Sequence, residues 1–215
     1  MHKNTVTLSR CKSIVLACFL ALIFLPTYPL RAGTEESLQA GLLNAEHDKP
    51  LIVYYSRTGN SRTVADALME YLSGTIEELQ STKNRDGLLG VFTCVLDQLL
   101  DRDAILKPLD RDPTTYDPVI IVAPIWIGKL SSPARTFIKG AGLQDKDVYL
   151  VLTYNGSLDE DKEKALAETI TAQGIRLKGL YKIITKERTA DEIRKELHNQ
   201  LDKKPLMTKA HVNTP

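Results

Sequence analysis

Apolar and polar positions along this chain follow two alternating periods. Leu51–Tyr55, Val119–Ala123 and Val148–Leu152 are short, uninterrupted apolar runs, the pattern of strands buried on both faces of a parallel sheet. Thr75–Leu79, after Gly74, is short and half polar, as an edge strand should be, and Leu180–Thr185 supplies a fifth strand. Between these runs the period changes to that of a helix. Ser61–Leu72 carries Val64, Leu68 and Tyr71 on one face, and Ala190–Leu201 carries Ile193, Leu197 and Leu201 at spacings of four. Ser132-Pro133 is a helix start, a capping hydroxyl followed by proline at the first helical position, and Asp159-Glu160-Asp161 opens a helix running to about Gln173. In the run from 88 to 100, Leu88, Phe92 and Leu99 recur at helical spacing, and a proline-bearing connection through Pro108 and Pro113 leads to Pro118. Strands alternating with helices predict an α/β fold: a doubly wound, five-stranded parallel sheet with right-handed crossovers and helices on both faces.

Two of the strand ends carry candidate chemistry. After the first, Ser56-Arg57-Thr58-Gly59-Asn60-Ser61 leads straight into a helix. A glycine turn rich in hydroxyls and backbone N–H groups, aimed by the positive end of a helix, suits a phosphate dianion with its several acceptor oxygens. A triphosphate loop would end in Gly-Lys-Ser/Thr, and a dinucleotide loop would carry three spaced glycines. This turn has neither. After the third strand come Pro124, Ile125, Trp126, Ile127, Gly128, Lys129 and Leu130, with the only tryptophan of the chain. A tryptophan at a loop tip offers a flat apolar face on which a ring can stack. The fourth strand opens into Thr153-Tyr154-Asn155-Gly156-Ser157.

The turn at 56–61 resembles the phosphate loop of the flavodoxin family, Ser/Thr-x-Thr-Gly-x-Ser/Thr, and the stretch from Pro124 to Leu130 resembles the loop with which these proteins wrap an isoalloxazine ring. The match at 153–156 is looser, with one glycine and a bulky Tyr154. Together they cover about residues 49–202 and imply a flavodoxin-like three-layer sandwich with strand order 2-1-3-4-5 and flavin mononucleotide (FMN) as cofactor. The resemblance places the phosphate at Ser56, Arg57, Thr58, Gly59, Asn60 and Ser61 and stacks the ring on Trp126, flanked by Pro124 and Ile125. It sets the backbone of Ile127 and Gly128 at the N5 edge and Thr153, Tyr154, Asn155 and Gly156 near the pyrimidine edge. A protein of this kind transfers electrons through its flavin to a redox partner protein or a small-molecule acceptor. Two alternatives are an NAD(P)H-dependent reductase of quinones or small aromatics, and a binding module of the same fold without flavin.

Residues 1–33 have a basic start, an apolar stretch from Ile14 to Leu25, then Pro26, Pro29 and an Ala32-Gly33 pair. Twelve apolar residues suit a secretory signal core and are too few to span a bilayer. The expectation is an exported protein, periplasmic or extracellular, beginning near Gly33. An uncleaved membrane anchor is the alternative. Residues 34–48 read as a linker and 203–215 as a flexible tail. Cys11 and Cys18 lie in the signal, which leaves Cys94 alone in the mature chain, with no intramolecular disulfide and no cysteine metal cluster. The four histidines are scattered without ligand spacing. The signal holds four Lys/Arg and no Asp/Glu, so the remainder has 24 basic against 27 acidic residues, a formal net charge of about −3. That excludes a nucleic-acid footprint and steers basic partners only weakly.

Overall fold

The three apolar runs form the centre of one sheet in a computed structural model that describes residues 49–82, 96, 99–156 and 159–206. In chain order the strands are β1 (Leu51–Tyr54), β2 (Thr75–Glu78), β3 (Val119–Trp126), β4 (Lys129–Leu130), β5 (Asp147–Tyr154) and β6 (Arg176–Ile184). The order across the sheet is β2-β1-β3-β5-β6, all parallel, with the two-residue β4 antiparallel to the end of β3. Leaving out the short β4, this is the expected 2-1-3-4-5 arrangement. The helices are α1 (Asn60–Leu72), α2 (Ser132–Gly140), α3 (Glu160–Thr171) and α4 (Ala190–Lys203).

The period of two along each strand divides the core into two layers. Leu51, Val53, Val119, Ile121, Leu150 and Leu152 face a cluster closed by Ala134, Phe137 and Ile138 of α2 and Ile170 of α3. Ile52, Tyr54, Ile120, Val122 and Val151 face the other layer, closed by Val64 and Leu68 of α1 and by Ile193, Leu197 and Leu201 of α4. The central positions of β1 and β3 are fully buried, which is why their sequences show no alternation. Each such Leu or Ile stabilises the fold by about 1.5–3 kcal/mol relative to exposure.

Several local expectations differ from what is found. Pro124 was expected to end its strand, yet β3 runs on to Trp126. The β1 ladder stops at Val122, whereas Pro124 pairs only with Thr153 of β5, so its missing N–H costs no bond towards β1. Tyr71, expected on the buried face of α1, is 41% exposed, with its ring 5.9 Å from that of His198. The cap of α2 is Ser131 rather than Ser132, and neither hydroxyl makes a capping bond; both are buried. The chain remains packed after α4, with Leu206 buried against the α1/α4 layer. The polar edge strand β2 has a physical reason as well: Glu77 is buried, held by the Asp110 amide at 2.9 Å and by Arg111 at 3.2 Å. The signal, the linker, Cys94 with most of its helical run, and residues 207–215 lie outside the described residues.

Candidate functional site

The phosphate-loop residues form a turn closed on itself. Tyr55 donates its N–H to the Val122 carbonyl at 3.0 Å, so the chain leaves the sheet only at Ser56. The Ser56 hydroxyl accepts the Gly59 N–H at 3.1 Å, and the Gly59 carbonyl accepts the Thr63 N–H at 2.9 Å, starting α1. Gly59 sits at φ 92°, a left-handed conformation that a side chain would strain. No protein atom lies within 4 Å of where a Cβ would stand, so glycine is required here for its φ and not to clear protein atoms.

The start of α1 differs from those of α3 and α4 in a way that matters for charge. Asp159 caps α3 and Thr189 closes a capping box on α4, each with acidic residues in the first turn. α1 has no side-chain cap and no acid in its first turn. Its opening N–H groups and the positive end of its dipole are therefore available to an external anion. α2 also lacks a side-chain cap, but Pro133 removes one of its donors and its first residues are buried.

One cleft gathers the sequence-derived residues at the carboxyl edge of the sheet. From the turn come Arg57, Thr58, Asn60 and Ser61; from the end of β3, Pro124, Ile125 and Trp126; from the end of β5, Thr153, Tyr154 and Asn155. None of the residues lining it is a carboxylate. The cleft lies where β1 and β3 adjoin and their following helices leave to opposite faces, the position at which open α/β sheets hold ligands. Ser56, Gly59, Ile127, Gly128 and Gly156 do not line it. Ser56 and Gly59 instead shape the turn, and Ile127 and Gly128 form the tip of the β3–β4 hairpin.

Contacts across the cleft brace its walls. The Ser61 and Thr153 hydroxyls are 2.7 Å apart, both buried, tying the first turn of α1 to β5. Trp126 is half-buried, packed on the core and met edge-on by Tyr55, with centroids 5.6 Å apart and planes at 80°. The hairpin turn beside it has Ile127 at φ 51° and Gly128 at φ 73°. A β-branched residue with positive φ is an outlier of the kind that persists only where neighbours hold it. Lys129 binds Asp101 at 2.8 and 3.0 Å, which holds the Asp101 carboxyl below the usual carboxylate range. The stem of Lys162 lies over Gly128, and its ammonium reaches Asp159 at 2.6 Å, which likewise lowers the Asp159 pKa.

Thr185 is the lining residue that sequence reasoning missed. It follows β6 directly, is buried, and its hydroxyl is 2.8 Å from the Asn155 side-chain oxygen. The available signal was positional: a hydroxyl at the carboxyl end of the last strand, on the edge that carries the other loops. Among the described residues no group of three His, Cys, Asp or Glu could hold a metal ion, and no helix is long and apolar enough to cross a membrane.

Among solved structures, the chain is similar to two proteins provisionally classed as flavoproteins. The one from Bacteroides eggerthii is 21% identical, with a TM-score of 0.60 over 74% of this chain and 99% of that one. The one from Bacteroides uniformis is also 21% identical, with a TM-score of 0.58 over 70% and 97%. The fold is flavodoxin-like. A flavoprotein from Lactobacillus acidophilus, solved in complex with FMN, aligns at 21% identity and a TM-score of 0.50 over 62% of this flavodoxin-like chain and 92% of its own. No protein-family profile matches the chain, and no curated protein does.

Proposed function

We propose that this flavodoxin-like protein binds FMN in the carboxyl-edge cleft and transfers electrons through it. The observation that carries the reading is the uncapped, acid-free start of α1, opening onto a cleft that holds Arg57 and no carboxylate. A phosphate there meets backbone N–H groups, the Thr58 hydroxyl, the Asn60 amide and the Arg57 guanidinium, all donors. The ring is met by Trp126, which packs against Tyr55 with the two planes at 80°. The cleft has about 150 Å³ of space. An enclosing small-molecule pocket has roughly 300–1,000 Å³. The site would therefore enclose only part of FMN and leave the rest open to solvent, where electrons can be exchanged. An FMN-bound flavoprotein of the same fold supports the choice of cofactor.

Bound FMN supplies the redox chemistry, and the protein contributes binding, orientation and electrostatics. The turn at 56–59 and α1 anchor one end. The Ser61–Thr153 pair keeps that anchor at a fixed distance from β5. The hairpin tip at Ile127 and Gly128 directly follows Trp126, so its backbone groups are the next that the ring can reach. No carboxylate, histidine, lysine or cysteine lines the cleft, and electron transfer needs none. The N-terminal pattern of residues 1–33 supports export of the domain, which sequencing the N-terminus of protein from its native host checks: a start near Gly33 is expected, and an intact Met1 in a soluble cytoplasmic fraction contradicts it.

Titration of the apoprotein and of Thr58→Val with FMN and with riboflavin tests the cofactor reading. Loss of a hydrogen bond to a charged phosphate weakens FMN binding by about 1.5–3 kcal/mol, ten- to a hundred-fold, and leaves riboflavin, which has no phosphate, unaffected. Equal loss for both ligands, or a wild-type protein that binds neither, overturns it.

A further inference from the structure

Thr185 makes two short contacts with one hydroxyl. Its oxygen is 2.8 Å from Asn155 Oδ1 and 3.3 Å from the Tyr154 carbonyl. A threonine hydroxyl has a single proton to donate. Of the two contacts that to Asn155 is much the shorter, so the proton goes to Asn155 Oδ1. With Oδ1 engaged by a buried partner, both N–H donors of the NH2 are left free of that contact, on an exposed residue that lines the cleft.

We propose that Thr185 is a positioning residue that fixes the Asn155 amide so that the cleft presents a hydrogen-bond donor, and not an acceptor, to the polar edge of the bound ligand. The inference rests on the FMN reading above. An isoalloxazine carries two carbonyl oxygens, the N1 nitrogen and an N3–H on its pyrimidine side, and negative charge gathers at N1 and the neighbouring carbonyl oxygen when the ring is reduced. A donor held in place stabilises that charge more than it stabilises the neutral oxidised ring, because it needs no reorientation as the charge appears. An amide free to turn would offer its oxygen as readily as its NH2, and the preference would fade. Thr185 thereby raises the affinity of the cleft for reduced flavin relative to oxidised flavin, compared with a site whose amide is free to turn, acting wholly through Asn155.

The test is an anaerobic titration of wild type, Thr185→Val, Thr185→Ser and Asn155→Asp with oxidised and with reduced FMN, reading the ratio of the two dissociation constants. Thr185→Val keeps the shape and removes the hydroxyl; the preference for reduced FMN is expected to fall about tenfold, the worth of one hydrogen bond to a charged acceptor. Thr185→Ser keeps the hydroxyl and should retain the ratio. Asn155→Asp still accepts from Thr185 but has no donor and adds a negative charge, so its preference should fall at least as far as that of Thr185→Val. Should Thr185→Val fail to fold, Thr185→Ser and Asn155→Asp decide the matter by the same ratio. A wild-type ratio in Thr185→Val or in Asn155→Asp, or a Thr185→Ser variant as impaired as the valine, overturns the role of Thr185 while the FMN reading stands. A wild-type protein that binds no FMN overturns both.

Discussion

Breaking the hydroxyl pair between Ser61 and Thr153 should both destabilise the domain and loosen its phosphate turn. The two oxygens are 2.7 Å apart and each residue is 2% exposed, so neither hydroxyl can turn to water if the other is removed. Thr153→Val preserves shape and strands Ser61 Oγ without a partner. Ser61→Ala strands Thr153 Oγ1 in the same way. Each single change should cost about 1–3 kcal/mol, the desolvation of one orphaned neutral polar group. For a domain of this size that lowers Tm by roughly 2–12 °C. The double variant removes both polar groups and leaves nothing unsatisfied, so its loss should be smaller than the sum of the two singles by about 1–2 kcal/mol. Urea unfolding of the four apoproteins, fitted with a common slope, measures this coupling in the absence of flavin. Additive losses, or a single variant within about 0.5 kcal/mol of wild type, would refute the reasoning, since either result means that the orphaned hydroxyl finds another partner or solvent.

Other consequences follow from single positions. Gly128→Ala puts a Cβ at φ 73° and 3.1 Å from the Lys162 stem, so urea unfolding should show a loss of about 1–2 kcal/mol; an unchanged midpoint would mean that the hairpin tip relaxes freely. Burial pushes the Tyr181 hydroxyl up to about 12, and burial likewise raises Tyr54 and Tyr149 above their ordinary 10.0. A folded-state pKa above the unfolded one favours the native state fully below pH 10, and that stabilisation is lost as pH rises from about 10 to 12. Phenolate absorbance should therefore appear late and together with unfolding, whereas complete ionisation near pH 10 with circular dichroism intact would contradict it. Thr189→Ala removes the hydroxyl that accepts the Glu192 N–H, leaves the reciprocal bond from the residue-189 N–H to the Glu192 carboxylate, and should cost about 1 kcal/mol in the same urea assay, with a value near zero as the contrary result.

The sheet was legible because its middle strands are buried on both faces. Val119–Ala123 must be apolar at every position, so the run itself states where it lies in the fold. The two loops were legible because their chemistry is local: the turn around Gly59 closes within four residues, through Ser56. What was not legible depends on partners distant in the chain. Thr185 reaches the cleft only because β6 pairs with β5 and sets it beside Asn155, thirty residues earlier. The β3–β4 hairpin was hidden because Ile127 at its tip has the opposite of turn chemistry, and because Asp101 and Lys162, which brace it through Lys129 and over Gly128, come from separate segments. Tyr71 fits the helical period and shares the angular sector of the buried residues, yet on the last turn of α1 its ring reaches out to His198 of α4 and stays 41% exposed.

Emission from the single tryptophan during titration of the apoprotein with FMN tests the central claim most directly. Trp126 lines the cleft, and the chain holds no other tryptophan, so the signal reports on this one contact. Stacking of an isoalloxazine on Trp126 should quench the emission steeply and saturate it at one equivalent of FMN, with flavin fluorescence lost in parallel. Tryptophan emission that stays unchanged through excess FMN, with the fold intact, would contradict flavin binding at this site.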